Sequence, residues 1–255
     1  MTTGLVLSGG GTRGVAHLGV LQALDELGIR PSIISGTSSG ALLGALYSAG
    51  NSPKKILKMV KEHSSSSLIK MILSPGGLFS VSGLTEILKS GGVGEDFEKL
   101  LVPLFVTATD INGGNPVTFS KGPLYNVLIG AASIPALFTP VKCGDQYLVD
   151  GGVMNNFPVE CIRDKCDRII GSYVNKIYPE KAKKLTRMQI LDRCFHMAVA
   201  HKVAEQAQYC DVLLEPDLSR YSMFEMTHAD KMFKIGYKTA MENISSIVAV
   251  IPEAI

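Results

Sequence analysis

Residues 4–50, GLVLSGGGTRGVAHLGVLQALDELGIRPSIISGTSSGALLGALYSAG, carry the pattern that decides the fold. The opening apolar run, 4–8, stops at Gly9-Gly10-Gly11, as a buried parallel strand does on reaching a turn. Val15, Ala16, Leu18, Leu21, Leu24 and Leu27 then recur at helical spacing, with Gly28 as the C-terminal cap. A second strand is expected over 32–35 and a second helix over 39–49, closed by Gly50. Two successive strand–helix units predict an α/β fold, with a mostly parallel central sheet between two layers of helices, α/β/α.

Both strand-to-helix turns have compositions that bear on chemistry. Gly36-Thr37-Ser38-Ser39-Gly40 places a serine on the tight turn after the second strand. A turn of this kind projects a nucleophilic hydroxyl out of the sheet, and Gly36 and Gly40 relieve the crowding that a strained backbone creates. The pentapeptide alone fits an ordinary turn with Ser38 or Ser39 as helix N-cap equally well; the strand before it and the helix after it favour the nucleophile. The corresponding loop after the first strand is Gly9-Gly10-Gly11-Thr12-Arg13-Gly14. Consecutive glycines let backbone N–H groups converge on one point, as an oxyanion hole requires. The same letters satisfy the dinucleotide fingerprint, which needs an acidic residue at the end of the second strand. That strand ends in Ile34-Ser35-Gly36, so a nicotinamide cofactor is rejected.

A serine hydroxyl needs a base. Downstream histidines are His196, His201 and His228, none beside a glycine turn or strand end, and they read as core or surface residues. Asp150 follows a short strand, 147–149, and precedes Gly151-Gly152, which permit close approach of another backbone. A carboxylate serves as base if it lies within hydrogen-bond reach of the serine and is partly desolvated. Taken alone, Asp-Gly-Gly also describes a simple turn.

Elsewhere the periodicity predicts helices over 54–63, 124–132, 158–164, 186–208 and 228–243, and strands over 104–110, 116–120, 168–174 and 211–215. Residues 64–67 read as a polar break and 75–77 as a turn. The apolar tail 247–255 fits packing on the core or on a partner. No repeat or linker divides the chain, so 1–255 is expected to be one domain, with 52–100 as a variable helical segment facing substrate. Lys54, Lys55, Lys58 and Lys61 sit beside Ile56, Leu57, Met59 and Val60. That segment reads as a solvated surface helix in preference to a lipid-docking one.

Composition narrows the function classes. Among 255 residues, 46% are hydrophobic and 19% charged, which excludes global disorder. A formal charge of +2 and the lack of tryptophan argue against nucleic acid as a partner. Five cysteines without a Cys-x-x-Cys pair suggest neither a disulfide framework nor a zinc site. No run is apolar enough to span a bilayer and the N-terminus has no signal-like pattern, so a cytoplasmic location is expected, compatible with peripheral membrane contact.

In combination, GGGTRG at 9–14, GTSSG at 36–40 and DGG at 150–152 resemble the patatin-like phospholipase family, in its compact bacterial single-domain form. Lesser blocks agree: Thr107-Ala108-Thr109-Asp110, Ala132-Ser133-Ile134-Pro135 with Phe138 and Pro140, Asn155-Asn156-Phe157-Pro158, and Glu215-Pro216-Asp217-Leu218-Ser219. The resemblance implies a serine acyl-hydrolase acting on fatty-acyl esters of lipids. Ser38 would be nucleophile and Asp150 general base, with 9–14 as oxyanion loop and no metal or cofactor. It also implies that Arg13 steadies the loop or meets a lipid phosphate, that His17 packs, and that Asn155 and Asn156 hold the loop carrying Asp150. Acyl transfer to another acceptor, thioester cleavage and a non-catalytic lipid-binding role share these motifs. Head group, chain length and oligomeric state have no counterpart in them.

Overall fold

A computed structural model describes residues 1–63, 81–179, 185–224 and 226–251. The break and turn expected at 64–67 and 75–77 lie outside these residues. Strands are β1 Thr3–Leu7, β2 Ile33–Thr37, β3 Leu104–Asp110, β4 Asn115–Phe119, β5 Val141–Cys143, β6 Gln146–Val149, β7 Arg168–Ser172 and β8 Val212–Leu214. Helices are α1 Val15–Glu26, α2 Ser39–Ser48, α3 Pro53–His63, α4 Val81–Ser90, α5 Tyr125–Ala131, α6 Arg187–Ala207, α7 Ala229–Glu242 and α8 Ile244–Val250. The sheet runs β5-β6-β3-β2-β1-β7-β8, with β4 also on β3. The strands from β3 through β2, β1 and β7 to β8 are parallel, and the β4, β5 and β6 pairings are antiparallel.

Alternation along the strands produces the three layers. Leu5 and Leu7 of β1, Ile34 of β2, Leu104 and Val106 of β3 and Ile170 of β7 face a core shared with α1, α2, α4, α5 and α8. Their neighbours Val6 and Ile169 face the opposite side, against Phe157, Val159, Ile162 and the Val199–Val203 stripe of α6. A capping box of Thr186 and Gln189 fixes the start of α6. In α3, Ile56 and Met59 are buried, Lys54, Lys55 and Lys58 are exposed, and Lys61 lies 2.6 Å from Asp230 of α7. Its apolar side is therefore committed to the core. Ile247 and Ile251 of the tail are also buried in that core. No described helix is long and apolar enough to cross a membrane.

Register on β3 decides where the site falls. Thr107 pairs with Thr37 of β2 and with Thr118 of β4, so β2 and β4 occupy opposite edges. Thr109 pairs with Pro116 of β4 and with Val149 of β6, so β6 takes over the edge that β2 leaves. Because β2 is parallel to β3 and β6 antiparallel, the two strands arrive head-on along one edge. The residues that follow their last pairs are Ser38 and Asp150.

Three details differ from the sequence expectation. Residues 158–164 form turns and a short 3-10 segment, Arg163–Lys165, in place of a helix. The carbonyl of Pro158 is taken by the Ser35 hydroxyl at 2.6 Å, so a sheet side chain captures the first carbonyl that would initiate the helix. The hairpin strand β5, Val141–Cys143, has no counterpart among the expected strands. The close crossing of α1 and α7 is also unforeseen: a Cβ on Gly19 would strike the carbonyl of Phe233, and one on Gly236 that of Ala16. Gly236→Val is expected to lower stability by roughly 1–3 kcal/mol through overpacking. Urea unfolding should show a reduced midpoint with an unchanged slope.

Candidate active site

Ser38 stands between β2 and α2 with φ 52° and ψ −127°. Apart from glycine, only Ser38 and Ala136 among the described residues have positive φ. Such a conformation costs about 1–3 kcal/mol and persists only where packing imposes it. The packing is visible at the flanking glycines. A Cβ on Gly40 would collide with the carbonyls of Leu7 and Ser8, and one on Gly36 would lie 2.8 Å from the Ala41 nitrogen. The first turn of α2 thus abuts β1, and its positive dipole end lies at the serine.

The Ser38 hydroxyl donates to Asp150 Oδ2 at 2.5 Å, and both residues are buried. Asp150 Oδ1 accepts the Gly152 N–H at 2.8 Å, and the Asp150 N–H is held by the Ser133 carbonyl at 2.9 Å. Burial pushes the Asp150 carboxyl up to about 6, against the opposing pull of its Ser38 and Gly152 hydrogen bonds. The backbone N–H of Asn155 donates to the Gly151 carbonyl at 2.8 Å, while its side chain donates to Glu160 and accepts the Phe157 N–H at 3.4 Å, on the segment that follows. Asn156 does something different: its carbonyl takes the Gly9 N–H at 3.2 Å, and its side chain lines a cavity beside Ser38.

The glycine loop is tied down almost everywhere. The Gly9 carbonyl accepts from the Asn175 side chain, Thr12 N–H donates to Met223 O at 2.9 Å, and Arg13 N–H donates to Gly10 O at 3.1 Å. Arg13 Nε donates to Tyr221 O at 2.8 Å, a loop-steadying contact. Gly11 has φ +55°, and a Cβ there would meet the Met223 carbonyl, so the position requires glycine. The N–H groups of Gly10 and Gly11 donate to no described residue. His17 is buried beneath the loop, Nδ1 on Ser172 Oγ at 2.8 Å and Nε2 on Ser8 O at 2.9 Å. Burial lowers its pKa to about 4, which leaves it neutral at pH 7 as a packing and hydrogen-bonding residue.

Two adjoining cavities, each about 260 Å³, meet at Ser38. The first is walled by Leu42, Leu43 and Leu46 of α2 and Leu84, Ile87 and Leu88 of α4. The second contains Asp150, Asn156, Val153, Pro135 and the α6 pair Phe195 and His196. His201 is exposed and lies 3.3 Å from Glu205, and His228 stacks edge-on against Tyr221. His196 departs from the expectation of a plain core residue, since it borders the same cavity as Asp150. Its spacing from Val199 and Val203, one face of α6, was the available signal. Among the described residues no His, Cys, Asp or Glu cluster is arranged to hold a metal ion.

A family model described as Patatin-like phospholipase matches residues 5–161. The chain belongs to the patatin-like phospholipase family. An uncharacterized NTE family protein of Mycobacterium tuberculosis is 27% identical over 93% of this chain and 45% of its own length. Patatin-like phospholipase domain-containing protein 7 of Rattus norvegicus is 27% identical over 92% of this chain and 20% of its own length. The chain thus spans less than half of these relatives. Crystallographic VipD from Legionella pneumophila shares the fold at TM-score 0.57, with 16% identity over 96% of this chain and 67% of that one. Human GIVD cytosolic phospholipase A2 does so at 0.55, with 11% identity over 99% of this chain and 59% of that one. The patatin-like architecture is a mostly parallel sheet flanked by helices, as the sequence predicts.

The raised carboxyl has a consequence for reactivity. If Asp150 is the base for Ser38, it accepts a proton only when ionised, and lowering the pH through about 6 should suppress attack by Ser38. The labelling rate of Ser38 by a phosphonate ester is expected to rise with pH through that value and then level off. A profile without this inflection would contradict the assignment.

Proposed function

We propose that this chain is a serine acyl-hydrolase that cleaves fatty-acyl esters of lipids through Ser38 and Asp150. The observation that carries the reading is the 2.5 Å hydrogen bond between a strained serine hydroxyl and a buried carboxylate, at the junction of two largely apolar cavities. Family membership supports lipid hydrolysis as the class of reaction.

In this mechanism Asp150 removes the Ser38 proton as the hydroxyl oxygen bonds to the ester carbonyl carbon. The carbonyl oxygen, now an oxyanion, turns toward the Gly10 and Gly11 amides, each donor of this kind contributing about 3–4 kcal/mol to the barrier reduction. The carbon–oxygen bond to the alcohol then breaks and Asp150 returns the proton to the leaving alkoxide, which leaves Ser38 acylated. Water repeats the sequence, giving up a proton to Asp150, and releases the fatty acid. The depressed His17 has no part in proton transfer. Arg13, turned onto Tyr221, acts on the loop and not on a lipid phosphate.

Ser38→Ala and Asp150→Asn should each reduce hydrolysis of a p-nitrophenyl acyl ester by about 10⁴-fold or more, the scale on which nucleophile and base losses act. His201→Ala and His228→Ala should remain near the unaltered protein. Activity that survives Asp150→Asn but vanishes in a histidine variant would overturn the pairing.

A further inference from the structure

The two cavities differ in one respect that the chemistry makes decisive: Asp150 lines the second and not the first. Resting on the hydrolase reading, the proton taken from Ser38 must be delivered to the alcohol oxygen, which therefore lies within hydrogen-bond reach of Asp150. Water for deacylation must reach the same carboxylate while the acyl chain is still attached to Ser38. Both requirements put the departing half of the substrate on the Asp150 side and the retained half on the other. We infer that the cavity between α2 and α4 holds the acyl chain, and that the cavity under α6 holds the alcohol half of an uncharged ester.

The linings fit this division. Leu42, Leu43 and Leu46 project from one face of α2, and Leu46 lies eight residues past Ser38, about 12 Å along the helix axis. With Leu84, Ile87 and Leu88 they form a hydrocarbon sleeve that an acyl chain enters methyl end first, leaving its carbonyl at Ser38. The alcohol cavity is lined by Pro135, Val153, Phe195 and His196 around a buried carboxylate. An anionic leaving group would be desolvated next to a like charge, whereas a neutral alcohol with an apolar substituent would not. Ile134 and Leu137, on either side of the strained Ala136, line both cavities and form the wall between them. Acyl length is thus set by α2 and α4, and alcohol preference by α6.

Two variants separate these roles. Leu42→Phe, at a partly buried position one turn from Ser38, narrows the acyl sleeve. It should lower kcat/KM for p-nitrophenyl palmitate relative to p-nitrophenyl butyrate at least about tenfold, and leave the preference between ethyl and octyl butyrate unchanged. Phe195→Ala should do the reverse, with the ethyl-to-octyl ratio shifting and the palmitate-to-butyrate ratio fixed. Deacylation, followed by release of palmitate after the p-nitrophenol burst, should respond to Leu42→Phe far more than to Phe195→Ala. Monopalmitoylglycerol should be cleaved at least about tenfold faster than palmitoyl lysophosphatidate. His201→Ala, on the exposed face of α6, serves as the control, and circular dichroism melts confirm that each variant is folded.

If acyl-length selectivity follows Phe195 and alcohol selectivity follows Leu42, the halves are reversed and the inference is wrong. If neither ratio moves in folded variants, the cavities do not bind the substrate halves, although Ser38-dependent hydrolysis would stand. Equal rates on the neutral and anionic palmitoyl esters would overturn the uncharged-alcohol assignment. Failure of the unaltered protein to cleave any ester, with no phosphonate label on Ser38, would instead remove the hydrolase reading itself.

Discussion

A single edge of β3 brings the site together. Its lower part is paired with β2 up to Thr107, and its upper part with β6 from Thr109. Strands that enter the same edge from opposite ends cannot both continue, so each must turn away at the gap between them. Ser38 and Asp150 are the residues at which they turn. The hydrogen bond between their side chains spans 112 positions in sequence, yet it follows from ladder register set by the apolar cores on both faces of the sheet. A one-residue slip of β6 would turn Leu148 away from its core and move Asp150 off the gap at the same time. Packing stability and site geometry are therefore the same constraint.

That gap lies inside the protein, which has an electrostatic consequence. A carboxylate taken out of water is destabilised in its charged form, and the Ser38 and Gly152 donors recover only part of the loss. The same burial that raises the carboxyl makes it a better proton acceptor than a surface aspartate. His17, equally buried, is moved in the opposite direction and becomes a neutral strut between Ser8 and Ser172. Burial thus separates two titratable groups by role: one titrates near neutral pH and the other does not.

What was legible in sequence was what is local. The strand, glycine loop, helix, strand and serine turn of 4–50 depend on residues a few positions apart, and they fold as their periodicity predicts. Asp150 stood out only in combination with the other two motifs, because the ladder that delivers it pairs residues 40 positions apart in sequence, Thr109 with Val149. His196 and Phe195 were passed over for the same reason, since nothing near them in sequence shows which face of α6 looks onto the serine. The helix expected over 158–164 gives way to turns where Ser35, more than a hundred residues earlier, takes the Pro158 carbonyl at its start. Close contact of Gly19 and Gly236 with opposing backbone is likewise invisible without knowing that α1 and α7 cross.

The glycine loop shows how much of a site consists of groups that never touch the reacting atoms. Left free, a run of glycines would be the least ordered part of the chain, since glycine loses the most conformational entropy on folding. Here the Gly9 peptide is held on both sides, by the Asn156 carbonyl and the Asn175 side chain, while Thr12 is fixed to Met223 and Arg13 to Gly10 and Tyr221. Hydrogen bonds of modest individual worth, about 1 kcal/mol each, together remove the freedom of the loop. In the proposed mechanism the Gly10 and Gly11 donors are then oriented before any charge develops on a substrate, so no reorganisation is needed when it does. Substituting the supports would leave those two donors in place chemically but aim them over a wider cone, and in a preorganised site the aim is what lowers the barrier.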